Sequence, residues 1–157
     1  MINKISSLKV VLICLVLSFL SLNLHAQSHS YIDKNKDMAN ELSIKYGIPS
    51  SVILAVAFVE SGAGTSKNAK ILKNHFGIVG KNTVNRSRYR SFKSVRASYE
   101  AFCKLLSRKK YYARLKGKKN FSEWVHAIAE AGYTTVPKEW IRRVTFVNKK
   151  FNLSRLD

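Results

Sequence analysis

Glu60 stands at an abrupt change of character in the chain. Eight apolar residues, Val52-Ile53-Leu54-Ala55-Val56-Ala57-Phe58-Val59, precede it, and Ser61-Gly62-Ala63-Gly64 follows. A carboxylate at the end of a buried helix is desolvated, which raises its pKa. A glutamic acid still protonated near neutral pH can give its proton to a glycosidic oxygen. The glycines let backbone and a sugar ring come close. The competing reading is a helix-end glutamate turned into solvent, since perturbed carboxylates mark functional sites only statistically. No second acid follows nearby. Between Ser61 and Tyr99 there is no Asp or Glu, while nine Lys or Arg residues occur.

The elements that must position this residue are mostly helical. A first helix is predicted over about 31–46, with Ile32, Ala39, Leu42 and Tyr46 at helical intervals and Gly47 as its stop. Pro49, Ser50 and Ser51 open a second helix whose body is apolar on every side, the pattern of a helix buried all round. Residues 61–93 turn to Gly, Ser, Asn and basic side chains, with a short helical piece near 67–73. Two strands are expected there, about 76–79 and 87–92, around the turn Gly80-Lys81-Asn82. Ser94 is a plausible N-cap for a helix carrying Val95, Tyr99, Phe102 and Leu106 on one face. A further helix is predicted from about Ser122 to Ala131 with Gly132 as its stop. Pro137 opens the last helix, where Trp140, Val144, Val147 and Phe151 share a face.

The chain begins with a basic lead, Lys4 and Lys9, an apolar stretch from Val10 to Leu22, and Leu24-His25-Ala26. This describes a secretory signal peptide over 1–26, cleaved after Ala26. The stretch is shorter than the roughly 20 apolar residues of a spanning helix, so no stable membrane span is expected once it is removed. Residues 27–157 then suffice for one domain with one core. Cys103 is the only cysteine left in it and is expected to be a small core residue. The formal charge of +19 falls by two on cleavage and favours an anionic partner. For an exported chain that partner is an envelope polymer and not nucleic acid. The location expected is periplasmic or secreted.

Read together, Glu60-Ser61-Gly62-Ala63-Gly64 and Asn74-His75-Phe76-Gly77-Ile78 resemble two signatures of a known family, its glutamate and its Asn-Asn-x-Phe-Gly-Ile-Lys. The family is the bacterial peptidoglycan β-N-acetylglucosaminidases, glycoside hydrolase family 73, which include autolysins and flagellar muramidase-like domains. Tyr89-Arg90-Ser91-Phe92-Lys93-Ser94, with Ser98 beyond it, is similar to the family's Phe-Arg-x-Tyr-x-Ser. Ala131-Gly132-Tyr133-Thr134-Thr135 is similar to its Ala-Gly-Tyr-Ala-Thr. The four segments occur in order over about 41–153. The resemblance implies a mostly α (α+β), lysozyme-like domain over 27–157, with a small β lobe beside the active-site cleft. It implies hydrolysis of peptidoglycan glycan strands after N-acetylglucosamine. A monomer without a cofactor is expected, and no metal, since no second ligand is spaced with His75. Glu60 would be the general acid, with Tyr133 beside it as a second catalytic residue. Asn74, His75, Phe76 and Gly77 would shape the wall next to the sugar, and Tyr89 is available to stack on it.

The sequence also departs from the pattern. Val79 stands where the motif has lysine, Phe92 where it has tyrosine, and Val136 where it has aspartate. The family's frequent second carboxylate has no counterpart in the expected β lobe. Glu100, Glu123, Glu130 and Glu139 fall on predicted helices, where a solvated face is the ordinary explanation, and Glu130 is the nearest to Tyr133. Three routes suit a single carboxylate: attack by the substrate's own acetamido oxygen, by water, or by the 6-hydroxyl of N-acetylmuramic acid. The last would make the protein a lytic transglycosylase, and a muramidase is a further alternative. A cationic peptidoglycan-binding protein without activity is the rival of another class. Trp140 and Trp124 are read as core residues. The basic stretches around 86–96 and 104–119 suit stem-peptide carboxylates or other anionic envelope polymers.

Overall fold

A computed structural model describes residues 29–157; the expected signal peptide, 1–26, lies outside the described residues. The chain divides into two units, Met1–Ser30 and Tyr31–Asp157, and every side chain discussed below belongs to the second. The organising element is the helix α2, Ser50–Ser61, which follows α1, helical over 29–46. Every residue of α2 from Ser50 to Ala57 is buried, as are Val59 and Ser61. Only Phe58 and Glu60 keep partial exposure. With each large aliphatic side chain worth about 1.5–3 kcal/mol when fully buried, Val52, Ile53, Leu54 and Val56 make this helix the centre of the core.

The remaining elements enclose it. These are α3, Lys67–Leu72; α4, Val95–Ser107; α5, Tyr112–Leu115; α6, Phe121–Ile128; and α7, Pro137–Phe151. A 3-10 turn, Leu153–Leu156, ends the chain. Helices α4, α6 and α7 and the 3-10 turn all pack on α2. The predicted N-cap at Ser94 holds, whereas Gly132, the predicted stop of the helix from Ser122, lies within a turn that runs on to Tyr133. Ser94 Oγ accepts the Ala97 N–H at 3.1 Å, and Trp140, Val144, Val147 and Phe151 form the buried face of α7. Helix α6 continues into a single π turn, Ala129–Tyr133, in which Gly132 alone departs from helical backbone. Cys103 is fully buried in α4, and burial pushes its thiol up to about 12, so it stays protonated.

The expected β lobe is the one departure in architecture. In place of strands at 76–79 and 87–92 the described residues hold a single antiparallel bridge, Val79 with Tyr89. The physical reason is competition by asparagine side chains for the groups a ladder needs. Asn74 Nδ2 donates to the carbonyls of Ile78 (2.8 Å) and Arg90 (2.9 Å), and its Oδ1 accepts the N–H groups of Phe76 and Ile78. Asn82 does the same for the tip, donating to the carbonyls of Ser87 and Tyr89 and accepting from Val84 and Asn85. The loop is therefore held by these side chains together with a few backbone bonds, Gly80 to Arg88, Arg90 to Ile78, Ser91 to Lys81 and Phe92 to Leu72.

The N-terminus of α2 has no capping side chain of its own, because Pro49 occupies the N-cap. Asp157 supplies one from the end of the chain, accepting the Ser51 N–H at 2.9 Å and the Ser51 hydroxyl at 2.6 Å. Asp157→Ala is expected to cost about 1–2 kcal/mol, the usual range for loss of a helix cap, read as a lower urea midpoint at unchanged slope.

Candidate active site

Glu60 lies in the last turn of α2, where the helix passes from the enclosed core to a cleft of about 550 Å³. The walls come from the 76–79 segment and Tyr89 on one side, and from Leu105, Leu106 and Tyr111 together with the π turn on the other. Glu60 is the only carboxylate lining it among the described residues, and Arg88 and Lys109 are its cations. The Glu60 carboxyl is fixed through Oε1, which accepts the Trp140 indole N–H at 2.7 Å. Oε2 faces Gly77, close enough that a Cβ built on that glycine would sit 3.6 Å away. Burial raises the Glu60 pKa above the ordinary carboxylate value, opposed first by the Trp140 hydrogen bond and then by the positive charge of Arg143.

Tyr133 also lines the cleft, on the π turn. Its hydroxyl donates to the Phe76 carbonyl at 2.8 Å. Its ring meets Trp140 at 5.5 Å and Phe102 edge-on at 5.8 Å. Burial, then the negative charge of Glu60, holds the phenol well above its usual pKa. The group therefore keeps its proton and gives it to the Phe76 carbonyl, so that only its oxygen lone pairs are left for another partner. This favours orienting a water or a sugar hydroxyl over taking a proton from one.

Of the remaining residues singled out from the sequence, Phe76, Gly77 and Tyr89 line the cleft with Glu60 and Tyr133. Asn74 and His75 do not. Asn74 is 1% exposed and both atoms of its amide are spent on the loop backbone, as above. His75 is buried behind the wall, stacked on Tyr31, with Nδ1 2.7 Å from the Tyr31 hydroxyl. That hydroxyl also joins Tyr99 at 2.8 Å and accepts from Ser61 at 3.3 Å, while Ser61 Oγ takes the Gly64 N–H. Gly64, at φ +77, admits no substitute, because a Cβ would stand 2.9 Å from the Tyr31 ring. The network thus ties α1, the end of α2, the loop and α4 together. In a consistent arrangement Tyr31 donates to an unprotonated Nδ1. Burial, aided by the charge of Lys34, pushes His75 down to about 4.

The other carboxylates considered earlier are elsewhere. Glu100 pairs with Lys45 at 2.7 Å, Glu139 with Arg142 at 2.7 Å, and Glu123 lies near Arg114 and Lys118. Glu130 is exposed and is not among the lining residues. Trp124 is fully buried and donates to the Lys118 carbonyl, and Tyr112 donates to the Tyr46 carbonyl. Trp140 is buried as its register implies, but it also touches Glu60, a role that sequence reasoning missed. Nothing local signals it, since the two residues lie 80 positions apart. Among the described residues no cluster of His, Cys, Asp or Glu is arranged to hold a metal ion, and no helix is long and apolar enough to cross a membrane.

A helical domain of lysozyme-like fold, with one desolvated carboxylate at the end of its buried helix, is the class that fold and site define. Solved structures with this fold include the catalytic domain of the autolysin Auto from Listeria monocytogenes. It matches with a TM-score of 0.72 at 20% identity, over 83% of this chain and 88% of that one. A C-terminally truncated glycoside hydrolase domain of Salmonella typhimurium FlgJ matches with a TM-score of 0.65 at 22% identity, over 80% and 97%. A peptidoglycan hydrolase mutant from Sphingomonas sp. A1 matches with a TM-score of 0.65 at 20% identity, over 81% and 96%. A search of curated proteins finds no match. The glucosaminidase family profile, described as mannosyl-glycoprotein endo-β-N-acetylglucosaminidase, matches residues 36–153, and the chain belongs to that family.

Two titrations follow from the site. The Glu60 pKa is raised in the folded state, so its favourable contribution is complete below the unfolded carboxylate pKa and is lost as pH rises through the folded value. Glu60→Gln is expected to melt above wild type at pH 8 and together with it at pH 4. His75 has the opposite sense. Its lowered value leaves stability intact above about 6.5 and removes it progressively as pH falls from there through about 4. Thermal melts from pH 7 to 4 should fall steeply in wild type and less so in His75→Asn.

Proposed function

We propose that the protein is an exported peptidoglycan hydrolase that cleaves the glycan strand after N-acetylglucosamine, with Glu60 as general acid. The observation that carries this reading is the single desolvated carboxylate at the floor of the cleft, held by Trp140 through one oxygen and open on the other. Such a group keeps its proton to higher pH than an ordinary carboxylate and can give it to a leaving glycosidic oxygen. The stated family of the chain supports a β-N-acetylglucosaminide as substrate. Peptidoglycan as the polymer is supported by the Sphingomonas hydrolase of the same fold and by the chain's strong positive charge. Export rests on the pattern of residues 1–26, which makes 27–157 the mature domain and the periplasm or the exterior its location.

Gly77, Tyr89 and Tyr133 would meet the sugar directly, with Phe76 as the backing of the wall. Asn74 and His75 would act from behind, holding the shape of that wall. With no second carboxylate in the cleft, the nucleophile is best supplied by the substrate's acetamido oxygen or by a water accepted against Tyr133.

The test is mass spectrometry of purified peptidoglycan digested by residues 27–157, with borohydride reduction of the products. Reducible N-acetylglucosamine ends are expected. Glu60→Gln should lower the rate by about 10²–10⁴-fold, the contribution of a general acid, while still sedimenting with the wall. Anhydro-muramic ends would reassign the protein as a transglycosylase. Absence of products from wild type that binds the wall would make it a binding module.

A further inference from the structure

We propose that Trp140 is a positioning residue that decides which oxygen of Glu60 carries the proton. By donating to Oε1 it assigns that proton to Oε2, the oxygen on the Gly77 side of the carboxyl. The proposal rests on the reading of Glu60 as general acid. An indole N–H is a donor only, so the oxygen it meets must offer a lone pair. In a protonated carboxyl the carbonyl oxygen is the better acceptor, so the bond to Oε1 favours the O–H on Oε2. The 2.7 Å bond is short for a neutral donor and is made by a side chain that cannot swing away. Trp140 is 4% exposed, sits on the buried face of α7 with Val144 and Val147, and packs against the Tyr133 ring. On the other side, Gly77 at φ +64 leaves the approach to Oε2 bare, with Tyr89 beyond it. The cleft residues and Trp140 thus grip the two oxygens differently.

The chemical consequence is an acid with one orientation. The proton on Oε2 passes to the glycosidic oxygen as the bond from the anomeric carbon to that oxygen breaks, and the bonding pair leaves with the alcohol. Water, in the hydrolytic route, adds its oxygen to the anomeric carbon and its released proton returns Glu60 to the acid form. While Glu60 is a carboxylate, the Trp140 bond becomes charge-assisted and stronger. The contact therefore favours the transition state over the ground state, which raises kcat and leaves KM in place.

The experiment replaces Trp140 alone with 3-benzothienylalanine, which keeps the shape of indole and lacks the N–H, with Trp140→Phe beside it. Turnover of soluble peptidoglycan fragments by residues 27–157 is followed against pH. A loss of about tenfold or more in kcat is expected, with KM unchanged and the alkaline limb of kcat moved up by about one unit. Indole emission of the wild type should titrate along the same limb and lose that titration in Glu60→Gln, where Trp124 is unaltered. A fall in kcat with an unmoved limb would show that Trp140 only fills space, and an unchanged kcat would remove its role altogether. Full turnover by Glu60→Gln would overturn the acid itself. An inactive Glu60→Gln with a wild-type profile for the analogue would overturn Trp140 alone. If Trp140→Phe fails to fold, the isosteric analogue decides.

Discussion

A helix with no polar face must be enclosed on every side, and the rest of this fold is the enclosure of α2. Four elements, α4, α6, α7 and the final 3-10 turn, lie directly on it. Burying its aliphatic side chains is the largest favourable contribution in the core. The enclosure has two loose ends. At the N-terminus the orphan N–H of Ser51 needs an acceptor that Pro49 does not provide, and Asp157 brings one from the end of the chain. At the C-terminus the enclosure stops one turn early, so Glu60 emerges half covered into the cleft.

That half cover is what gives the carboxyl its chemistry. Burial disfavours its charge, and the two influences that oppose burial, the Trp140 N–H and Arg143, both arrive on α7. The packing of α7 on α2 therefore sets both the position of the acid and the ease with which it ionises. Tyr133 meets the same constraint from the π turn. It is pressed between Phe102 and Trp140, with its hydroxyl committed to Phe76.

The opposite wall is built by a different kind of force. The 77–93 loop has few buried apolar residues, and its order comes from a few backbone bonds and from Asn74 and Asn82 satisfying further backbone groups one at a time. Beneath it the Tyr31, Ser61, His75 and Tyr99 network supplies a polar floor. Such networks favour one arrangement because any member left unpaired is costly when buried. The wall is also cationic: nine Lys or Arg residues and no acid lie between Ser61 and Tyr99, with Arg88 facing the cleft. A basic rim of this kind attracts anionic groups over a range that salt shortens.

The helices were legible in the residues because burial leaves a periodic trace. The face carrying Trp140, Val144, Val147 and Phe151, the Ser94 cap and the apolar run before Glu60 are all local signals. The four motif segments, from Glu60 to Thr135, likewise point together to the family. The β lobe was over-read, since alternation and a turn suggest strands but do not reveal that asparagine side chains will take the backbone groups first. A contiguous motif puts Asn74 and His75 at the sugar, whereas the chain turns Phe76 and Gly77 to the cleft and buries Asn74 and His75 behind them. The contacts that complete the site, Trp140 on Glu60 and Tyr133 on Phe76, span 80 and 57 positions. By itself the sequence determined which helix is buried and which carboxylate ends it, because those depend on neighbours along the chain. Only the tertiary structure decided what touches that carboxylate, because a hydrogen bond between distant residues depends on how the helices pack and leaves no periodic mark.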